Sequence, residues 1–343
     1  MDLNELNKSQ RRAVTYQDGS VFVIAGAGTG KTKTLTMRIA YLISVGYEPE
    51  KILAVTFTNK AAREMKERAI KLVGKKAEKV AIQTFHSFAL SFLKKHINLL
   101  SSNLNRNFVI IDEDDGKKII KDFLKQNNLT IDRNNFRYYK EIISKVKTRQ
   151  VKFIDDEDLI VFEYYQKYLK NNNLLDFDDL IIYTEQILKD NIEIRERYHD
   201  FFNNILVDEF QDTDLIQYNI IFLMSNKHTN VFVVGDPDQT IYSFRGSNYN
   251  NNINFLRDFS AEKIVLEQNY RSVNNILKSA NRLISHNSNR PANKELKSNL
   301  GEGEKISYKV FYNSDDEAKW IANEINILKK SNIKSRNIAI LYR

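Results

Sequence analysis

A glycine-rich segment near the N-terminus carries residue types that bind phosphate. Residues 25–32 read AGAGTGKT, between the apolar run VFVIAG (21–26) and an amphipathic stretch. Glycines let such a loop point its N–H groups inward at a phosphate, and the N-terminus of a following helix adds a favourable dipole. The pattern fits a Walker A loop if alanine replaces the usual first glycine, so the lysine would reach the β- and γ-phosphates and the threonine would bind Mg²⁺. The candidate nucleotide-binding residues are Ala25, Gly26, Ala27, Gly28, Thr29, Gly30, Lys31 and Thr32.

Two adjacent carboxylates follow another apolar run, in NILVDEFQD (204–212). Side chains at successive strand positions point in different directions, so the two acids can have different roles. Asp208 is predicted to hold Mg²⁺, and Glu209 to orient and deprotonate an attacking water. A solvated acidic strand end is the alternative, and the upstream phosphate loop favours the catalytic interpretation.

A third apolar run ends in VVGDPDQTIYSFRG (233–246). Gln239 is uncharged and can contact both a γ-phosphate and a water, so it is a candidate sensor of the γ-phosphate. Asp236 and Asp238 are equally well explained as turn residues around Pro237. The aromatic and arginine residues that follow suit a flat, anionic ligand.

These residues need a sheet that brings strand ends together. Short runs rich in β-branched residues predict buried parallel strands at 21–26, 51–57, 204–209, 230–236, 263–268 and 337–343. Helical stretches separate them, so the chain is predicted to be an α/β protein. Residues 87–170 lack strand-like runs and predict an all-helical insertion. A break near 259–263 predicts a second α/β unit, which looks cut short at its terminal strand-like run.

Composition sets wider limits. The 343-residue chain has a net charge of +8, which suits a nucleic-acid partner without requiring one. The absence of cysteine excludes disulfides and thiolate metal sites. No run approaches the roughly 18 apolar residues of a membrane span, and the N-terminus lacks a signal-peptide core. We expect a cytoplasmic protein without membrane contact.

Eight segments occur in an order that resembles the UvrD/Rep/PcrA group of superfamily 1 DNA helicases: LNKSQ, AGAGTGKT, AVTFTNKAAREMKER, QTFHSFA, LDFDDLI, VDEFQDT, VVGDPDQTIYSFRGS and LEQNYRS. The resemblance covers essentially the whole chain. It implies a P-loop NTPase fold with a RecA-like parallel sheet, an all-helical insertion and part of a second RecA-like domain. The expected parts are residues 1–86 and 171–260 for the first motor domain, 87–170 for the insertion and 261–343 for the second motor domain.

The resemblance also implies site roles. Gln10 would read the adenine edge, Arg38 would lie on the adenine side, Tyr270 would stack on the base, and Arg271 would act as an arginine finger on the γ-phosphate. Single-stranded DNA would be held by aromatic stacking and by polar or cationic contacts. The implied DNA-binding residues are Thr56, Phe57, Asn59, Thr84, His86, Phe177, Tyr242, Phe244 and Arg245. Outside these motifs, a phenylalanine is more often core and a histidine more often structural.

The implied function is an ATP-dependent DNA helicase that moves 3′→5′, uses ATP and Mg²⁺, and binds single strands and single-strand/duplex junctions. Relatives commonly have tryptophan at the position of Phe244, so somewhat weaker single-strand affinity is expected. Because the second motor half of the family continues further, we expect weak ATPase activity and no processive unwinding by these residues alone. The alternatives are a non-catalytic remnant that binds single strands or a partner protein, and the motor of a helicase–nuclease.

Overall fold

A parallel sheet organises the first of two compact units, residues 1–301 and 302–343. The computed structural model describes residues 2–101, 103–127, 133–151, 155–242, 246–287 and 290–342. Its strands are β1 (Val21–Ala25), β2 (Ile52–Thr56), β3 (Ala81–Thr84), β4 (Val109–Ile110), β5 (Leu174–Leu175), β6 (Asn204–Val207), β7 (Asn230–Gly235), β8 (Glu262–Leu266), β9 (Gln268–Asn269) and β10 (Lys297–Ser298). Six of them pair in the order β3-β2-β6-β7-β1-β8, all in parallel.

Helices cover both faces of this sheet. They are α1 (Lys8–Thr15), α2 (Lys31–Ser44), α3 (Asn59–Val73), α4 (Phe85–His96), α5 (Glu113–Gln126), α6 (Arg133–Lys147), α7 (Asp156–Asn171), α8 (Phe177–Asp190), α9 (Ile192–Phe201), α10 (Leu215–Leu223), α11 (Asn250–Asp258), α12 (Asn274–Ile284) and α13 (Ser314–Lys330). None of the described helices is long and apolar enough to cross a membrane.

The strands alternate between two cores. Phe22 and Ile24 of β1 belong to a cluster with residues of α4, α8 and α10, whereas Val21 and Val23 belong to a second cluster with residues of α2 and α3. Period-2 alternation into two buried layers is what a sheet covered on both faces requires. This confirms the α/β class and the buried parallel strands.

Parallel pairing brings the carboxyl ends of all six strands to one edge of the sheet. The glycine loop follows β1, Phe57 follows β2, and Asp208 follows β6. The predicted catalytic and DNA-binding segments therefore converge because of strand direction. Strand β3 was not predicted: it is a four-residue edge strand, AIQT, with two polar residues and no long apolar run.

The helical insertion begins later than predicted. Phe88 and Phe92 of α4, and Phe108 after it, are buried in the core of the sheet. A separate core lies among α5, α6 and α7, and runs from Ile111 to Leu169. The insertion is also not purely helical, because the two-residue strands β4 and β5 pair in parallel at its base. The boundary at 87 is corrected because the apolar face of α4 packs on the sheet.

The last strand of the central sheet also differs from the prediction. Strand β8 begins within the expected break near 259–263, yet it pairs with β1 from Val21↔Glu262 to Ala25↔Leu266. It is therefore an edge strand of the first sheet. A smaller pair, β9 with β10, follows it.

Residues 302–343 form the second unit. Helix α13 begins after Asn313, whose side chain accepts a hydrogen bond from the Asp316 N–H. The Trp320 ring lies 5.6 Å from the Phe311 ring. Within the described part of 337–343, no strand forms, and Leu341 and Tyr342 are more than nine-tenths exposed. The predicted strand there is wrong for this structure, since no neighbouring strand pairs with it.

Candidate nucleotide and nucleic-acid site

The glycine loop turns sharply between β1 and α2. Gly28 and Gly30 have φ values of +72° and +86°, in the left-handed region that favours glycine. A Cβ at Gly28 would lie 2.7 Å from the Arg271 Cβ, and a Cβ at Gly30 would lie 2.7 Å from the Gln10 Nε2. A side chain at either position would be strained by the positive φ, and at Gly28 it would also collide with the Arg271 Cβ.

A cavity of about 340 Å³ opens beside this loop. It brings together residues from five separate segments of the chain. Its lining residues are Ala27, Gly28, Gly30, Lys31, Thr32, Lys33, Arg68, Glu209, Gln239 and Arg271. Four cationic side chains and one carboxylate are therefore collected around a loop whose geometry suits phosphate.

The Lys31 ammonium donates to Glu209 Oε2 at 2.9 Å. Glu209 itself has φ +47° and ψ +46°, which is uncommon for a residue with a side chain. Such backbone strain is concentrated at functional sites. The turn directs the Glu209 carboxylate into the cavity, whereas the neighbouring Asp208 accepts a hydrogen bond from the Glu209 N–H at 3.0 Å.

Two carboxylates after β6, Asp208 and Asp212, are shielded from water and lie near the negative charge of Glu209. Burial, and then the nearby Glu209 charge, raises the pKa of Asp208 to about 6. The same two causes raise the pKa of Asp212 to about 6, and its Oδ1 is buried without a hydrogen-bond partner. Thr32 and Asp208 line a neighbouring cavity of about 440 Å³. A hydroxyl and a carboxylate beside a phosphate loop fit Mg²⁺, which takes most of its ligands from substrate phosphates and water.

No cluster of three or more His, Cys, Asp or Glu residues that could hold a metal by itself occurs in the part of the chain that the structure describes.

The segment after β9 is tied to the glycine loop. The buried Asn269 donates from Nδ2 to the Ala27 carbonyl at 2.6 Å, and its Oδ1 accepts from the backbone N–H groups of Arg271 and Ser272. The Tyr270 N–H donates to the Gly28 carbonyl at 2.9 Å. Asn269 was not predicted, although it lies in LEQNYRS, one of the segments that carries the family resemblance.

The residues predicted for the adenine side differ in where the structure places them. The Tyr270 hydroxyl accepts a hydrogen bond from Asn7 Nδ2 at 2.8 Å, which sets the ring beside the start of α1. Gln10 does not line the cavity, because its Nε2 donates to the Thr29 carbonyl at 2.8 Å.

Arg38 is a correction. Its side chain is 1% exposed, donates to the Val14 carbonyl at 2.8 Å and lies over the Phe232 ring. Burial lowers the pKa of Arg38 to about 10. Lys33 lines the cavity instead, since it lies on the first turn of α2, whereas Arg38 lies about one and a half turns further on. Arg68 of α3 also lines it and was not predicted.

Aromatic side chains lie at the same edge of the sheet. The rings of Phe57 and Tyr242 stack with centroids 5.9 Å apart and planes 16° apart. Phe177 is 58% exposed, and the His86 ring lies 5.9 Å from it. Burial lowers the pKa of His86, so the neutral imidazole is favoured.

Other predicted DNA-binding residues have structural partners. Thr56 is 1% exposed and donates to the Thr58 carbonyl. Thr84 is buried and caps α4 by accepting from the Ser87 N–H. Asn59 is exposed, and its Oδ1 accepts from Ser87 Oγ at a long 3.5 Å. Phe244 and Arg245 lie outside the described residues.

A groove between the sheet and the insertion holds several of these side chains. A cavity of about 190 Å³ is lined by Phe57, His86 and Tyr242 from the sheet side. From the insertion side it is lined by Ser144, Thr148 and Gln150, none of which was predicted. Polar contacts from a second wall are what a single strand needs beside its stacking platforms.

Comparison with known proteins supplies the family. Residues 6–260 match the model of the UvrD/REP helicase N-terminal domain, and residues 264–343 match that of the UvrD-like helicase C-terminal domain. The chain belongs to the UvrD/REP helicase family. Residues of both helicase domains are therefore present, and the expectation of weak activity gains no support from the match.

UvrD/REP relatives give the same result. The chain is similar to the ATP-dependent DNA helicase PcrA of Staphylococcus epidermidis RP62A, at 41% identity over 354 residues. It is equally similar to PcrA of Staphylococcus aureus Mu50, at 41% identity over 353 residues. Each alignment covers 99% of this chain and 48% of the relative, so the chain spans about half the length of the curated relatives it matches.

Proposed function

We propose that the chain binds ATP with Mg²⁺, hydrolyses it, and uses hydrolysis to move along DNA as an ATP-dependent helicase. The observation that carries this proposal is the cavity in which Lys31, Glu209, Gln239 and Arg271 meet beside the glycine loop. These are the parts that phosphoryl transfer needs: a phosphate cradle, a cation, a residue that positions water, and an arginine for the developing charge.

Each side chain has a distinct role in this proposal. Lys31 and Arg271 offset negative charge on the γ-phosphate, and Glu209 accepts a proton from the attacking water. Thr32 and Asp208 would hold Mg²⁺, which when bound neutralises phosphate charge. Tyr270 stacks on the base, and Gln10 holds the loop through Thr29. Lys33, with its ammonium 3.2 Å from Glu5 Oε2, replaces Arg38 as the candidate adenine-side cation.

The path from nucleotide to DNA is short. Phe57 and Tyr242 line both the cavity beside Asp208 and the groove toward the insertion. Gln239 lies three residues before Tyr242. A shift of Gln239 towards the γ-phosphate would therefore displace the Tyr242 ring. The affinity for a DNA strand would then alternate with the nucleotide state.

We extend the proposal to single-stranded DNA and single-strand/duplex junctions as substrates, to 3′→5′ movement, and to the cytoplasm as location. The net charge of +8 supports attraction of a polyanion. The name of the PcrA relatives supports DNA as the nucleic acid. Polarity and junction preference remain predictions.

The test is ATP hydrolysis by the purified chain, with and without single-stranded DNA. Glu209→Gln should lower kcat by about 10²–10⁴-fold, the usual contribution of a general base, while nucleotide binding is retained. Lys31→Ala should lose nucleotide binding as well. Glu64→Gln is the matched control, because Glu64 is a carboxylate that lines the neighbouring cavity on α3.

Two results would contradict the proposal. A parent chain that binds single strands and does not hydrolyse ATP would favour the binding remnant. Hydrolysis that survives Glu209→Gln as well as it survives Glu64→Gln would remove Glu209 as the base.

A further inference from the structure

Four buried charged side chains form a cluster that contacts Gln239. Lys294 forms an ion pair with Asp236 and another with Asp238 at 3.1 Å. Arg290 donates to both oxygens of Asp238, at 2.9 and 2.6 Å. All four side chains are at most 12% exposed. This group, Asp236, Asp238, Arg290 and Lys294, is called the quartet below.

The quartet is balanced and internally satisfied. Two carboxylates face two cations, and Arg290 also donates to the Lys294 carbonyl at 3.2 Å. Burial alone would raise the pKa of Asp238, but hydrogen bonds from Arg290 and Lys294 hold it below its usual value. The two aspartates are thus ion-pair partners as well as turn residues.

One side of the quartet faces the catalytic residues. Asp236 Oδ2 accepts from Gln239 Nε2 at 2.6 Å. The Asp236 N–H donates to Gln211 Oε1 at 2.9 Å, and Gln211 Nε2 donates to Glu209 Oε2 at 2.9 Å. Asp236 therefore contacts the candidate γ-phosphate sensor directly and the candidate base through one amide.

The other side of the quartet leads back to the phosphate loop. Lys294 is followed by Leu296, whose Cδ2 lies 2.5 Å from the position of a Cβ at Gly26. Strand β10 comes next and pairs with β9, and Ser298 Oγ donates to the Ser272 carbonyl at 2.6 Å. The segment 290–298 thus touches both the glycine loop and the segment that carries Arg271.

We propose that Lys294 is a positioning residue of the ATPase centre. It keeps Asp236 as the acceptor that orients Gln239, and it links Gln239 through segment 290–298 to Arg271. Lys294 does not line the nucleotide cavity, and its contact with Gln239 runs through Asp236. This inference rests on the proposed ATPase function and concerns how its two γ-phosphate contacts move together.

The first experiment separates kcat from KM. Lys294→Met leaves Asp236 buried without its ammonium partner, so Gln239 loses its fixed orientation. We expect kcat for ATP to fall at least tenfold, as misplacement of a catalytic group does, with KM for ATP changed less than twofold. Lys263→Met is the matched control, because Lys263 is an exposed cation that contacts the same segment through the Pro291 carbonyl at 3.1 Å.

A double variant tests the mechanism. Asp236→Asn combined with Lys294→Met removes both charges and keeps an acceptor oxygen for Gln239 Nε2. The double variant should recover at least threefold of the lost kcat, whereas a purely structural defect would be additive. Arg290→Gln, which can keep a hydrogen bond to Asp238, serves as the milder variant if Lys294→Met does not fold.

A second readout does not depend on turnover. Hydrogen exchange of amides 294–298 should differ between the parent chain with ADP and with a non-hydrolysable ATP analogue. The difference should disappear in Lys294→Met, or in Arg290→Gln if that variant is used. An active parent whose Lys294→Met variant has unchanged kcat would overturn this inference and leave the proposed function standing. A parent without ATPase activity would overturn the proposed function, and equal exchange with the two nucleotides in the parent would overturn the inference.

Discussion

Replacing Lys147 by methionine would leave two carboxylates buried without a cation. The Lys147 ammonium, on α6 of the insertion, lies 2.6 Å from Asp176 Oδ2 and 2.8 Å from Asp179 Oδ1 at the start of α8. Its side chain is 1% exposed. Burial by itself would lower the pKa of Lys147, but the two carboxylates outweigh burial and raise it. The ammonium therefore stays charged and links α6 of the insertion to the start of α8.

The magnitude follows from this geometry. Removing one partner of a buried ion pair costs about 3–5 kcal/mol, because the remaining charge cannot be solvated. The same aspartates form the capping box of α8, so the loss falls on the first turn of that helix. A local cost of this size would increase opening of the α6–α8 contact by roughly a hundred- to several-thousand-fold.

Hydrogen exchange on α6 and α8 measures this opening. Lys145→Met is the matched control on the same helix, because the Lys145–Glu141 pair is exposed and is screened by solvent and salt. Asp179→Asn in the Lys147→Met background should recover part of the protection by removing one uncompensated charge. Equal protection in Lys147→Met and Lys145→Met would refute the stabilising role of the buried Lys147 ion pairs.

Three further predictions concern separate sites. Burial raises the pKa of Asp214 to about 6 from its usual 3.8. Above pH 6 the buried charge therefore lowers the free energy of unfolding by roughly 3 kcal/mol, and this cost shrinks as the pH falls through 6 towards 4. Asp214→Asn keeps an acceptor for the helix cap, so in urea unfolding it should be stabilising at about pH 7.5 and less so at about pH 5; a gain independent of pH would contradict this. Phe57→Ala should weaken single-strand binding by about 1–3 kcal/mol in a fluorescence titration, whereas Phe201→Ala, an exposed phenylalanine on α9, should have no effect. Gly28→Ala places a Cβ 2.7 Å from Arg271 and Asn269, so calorimetric titration should show nucleotide affinity at least tenfold lower, and unchanged affinity would mean that the loop relaxes.

Residues defined by a local pattern were predictable. Lys31 and Thr32 follow from strand, glycine turn and helix in sequence order, and Asp208 and Glu209 follow from their place at a strand end. These features need no knowledge of distant contacts, because parallel strands bring such ends together in any α/β sheet. The structure accordingly collects Lys31, Glu209, Gln239 and Arg271 in one cavity.

Predictions failed where helix phase or tertiary packing decided. Arg38 and Lys33 are both cations on α2, and the turn on which each lies and the direction of its side chain separate a buried structural arginine from a cavity lysine. The apolar face of α4 could serve a helical insertion or the sheet, and the sheet takes it. Strand β8 could begin a second sheet or extend the first, and its register with β1 decides.

The two buried lysines show why positioning residues escape sequence reasoning. Lys147 pairs with Asp176 and Asp179, which lie on either side of Phe177 in the sequence. Lys294 pairs with Asp236 and Asp238, which precede Gln239. In both places the carboxylates are local and occur inside a motif, whereas the cation lies 29 or 32 residues away in one cluster and 58 residues from Asp236 in the other. A carboxylate pair next to a functional side chain therefore predicts that some cation must bury with it, since two charges at such burial are too costly alone. It does not say which of the chain's 52 lysines and arginines is used, and only the fold places Lys147 near Phe177 and Lys294 near Gln239.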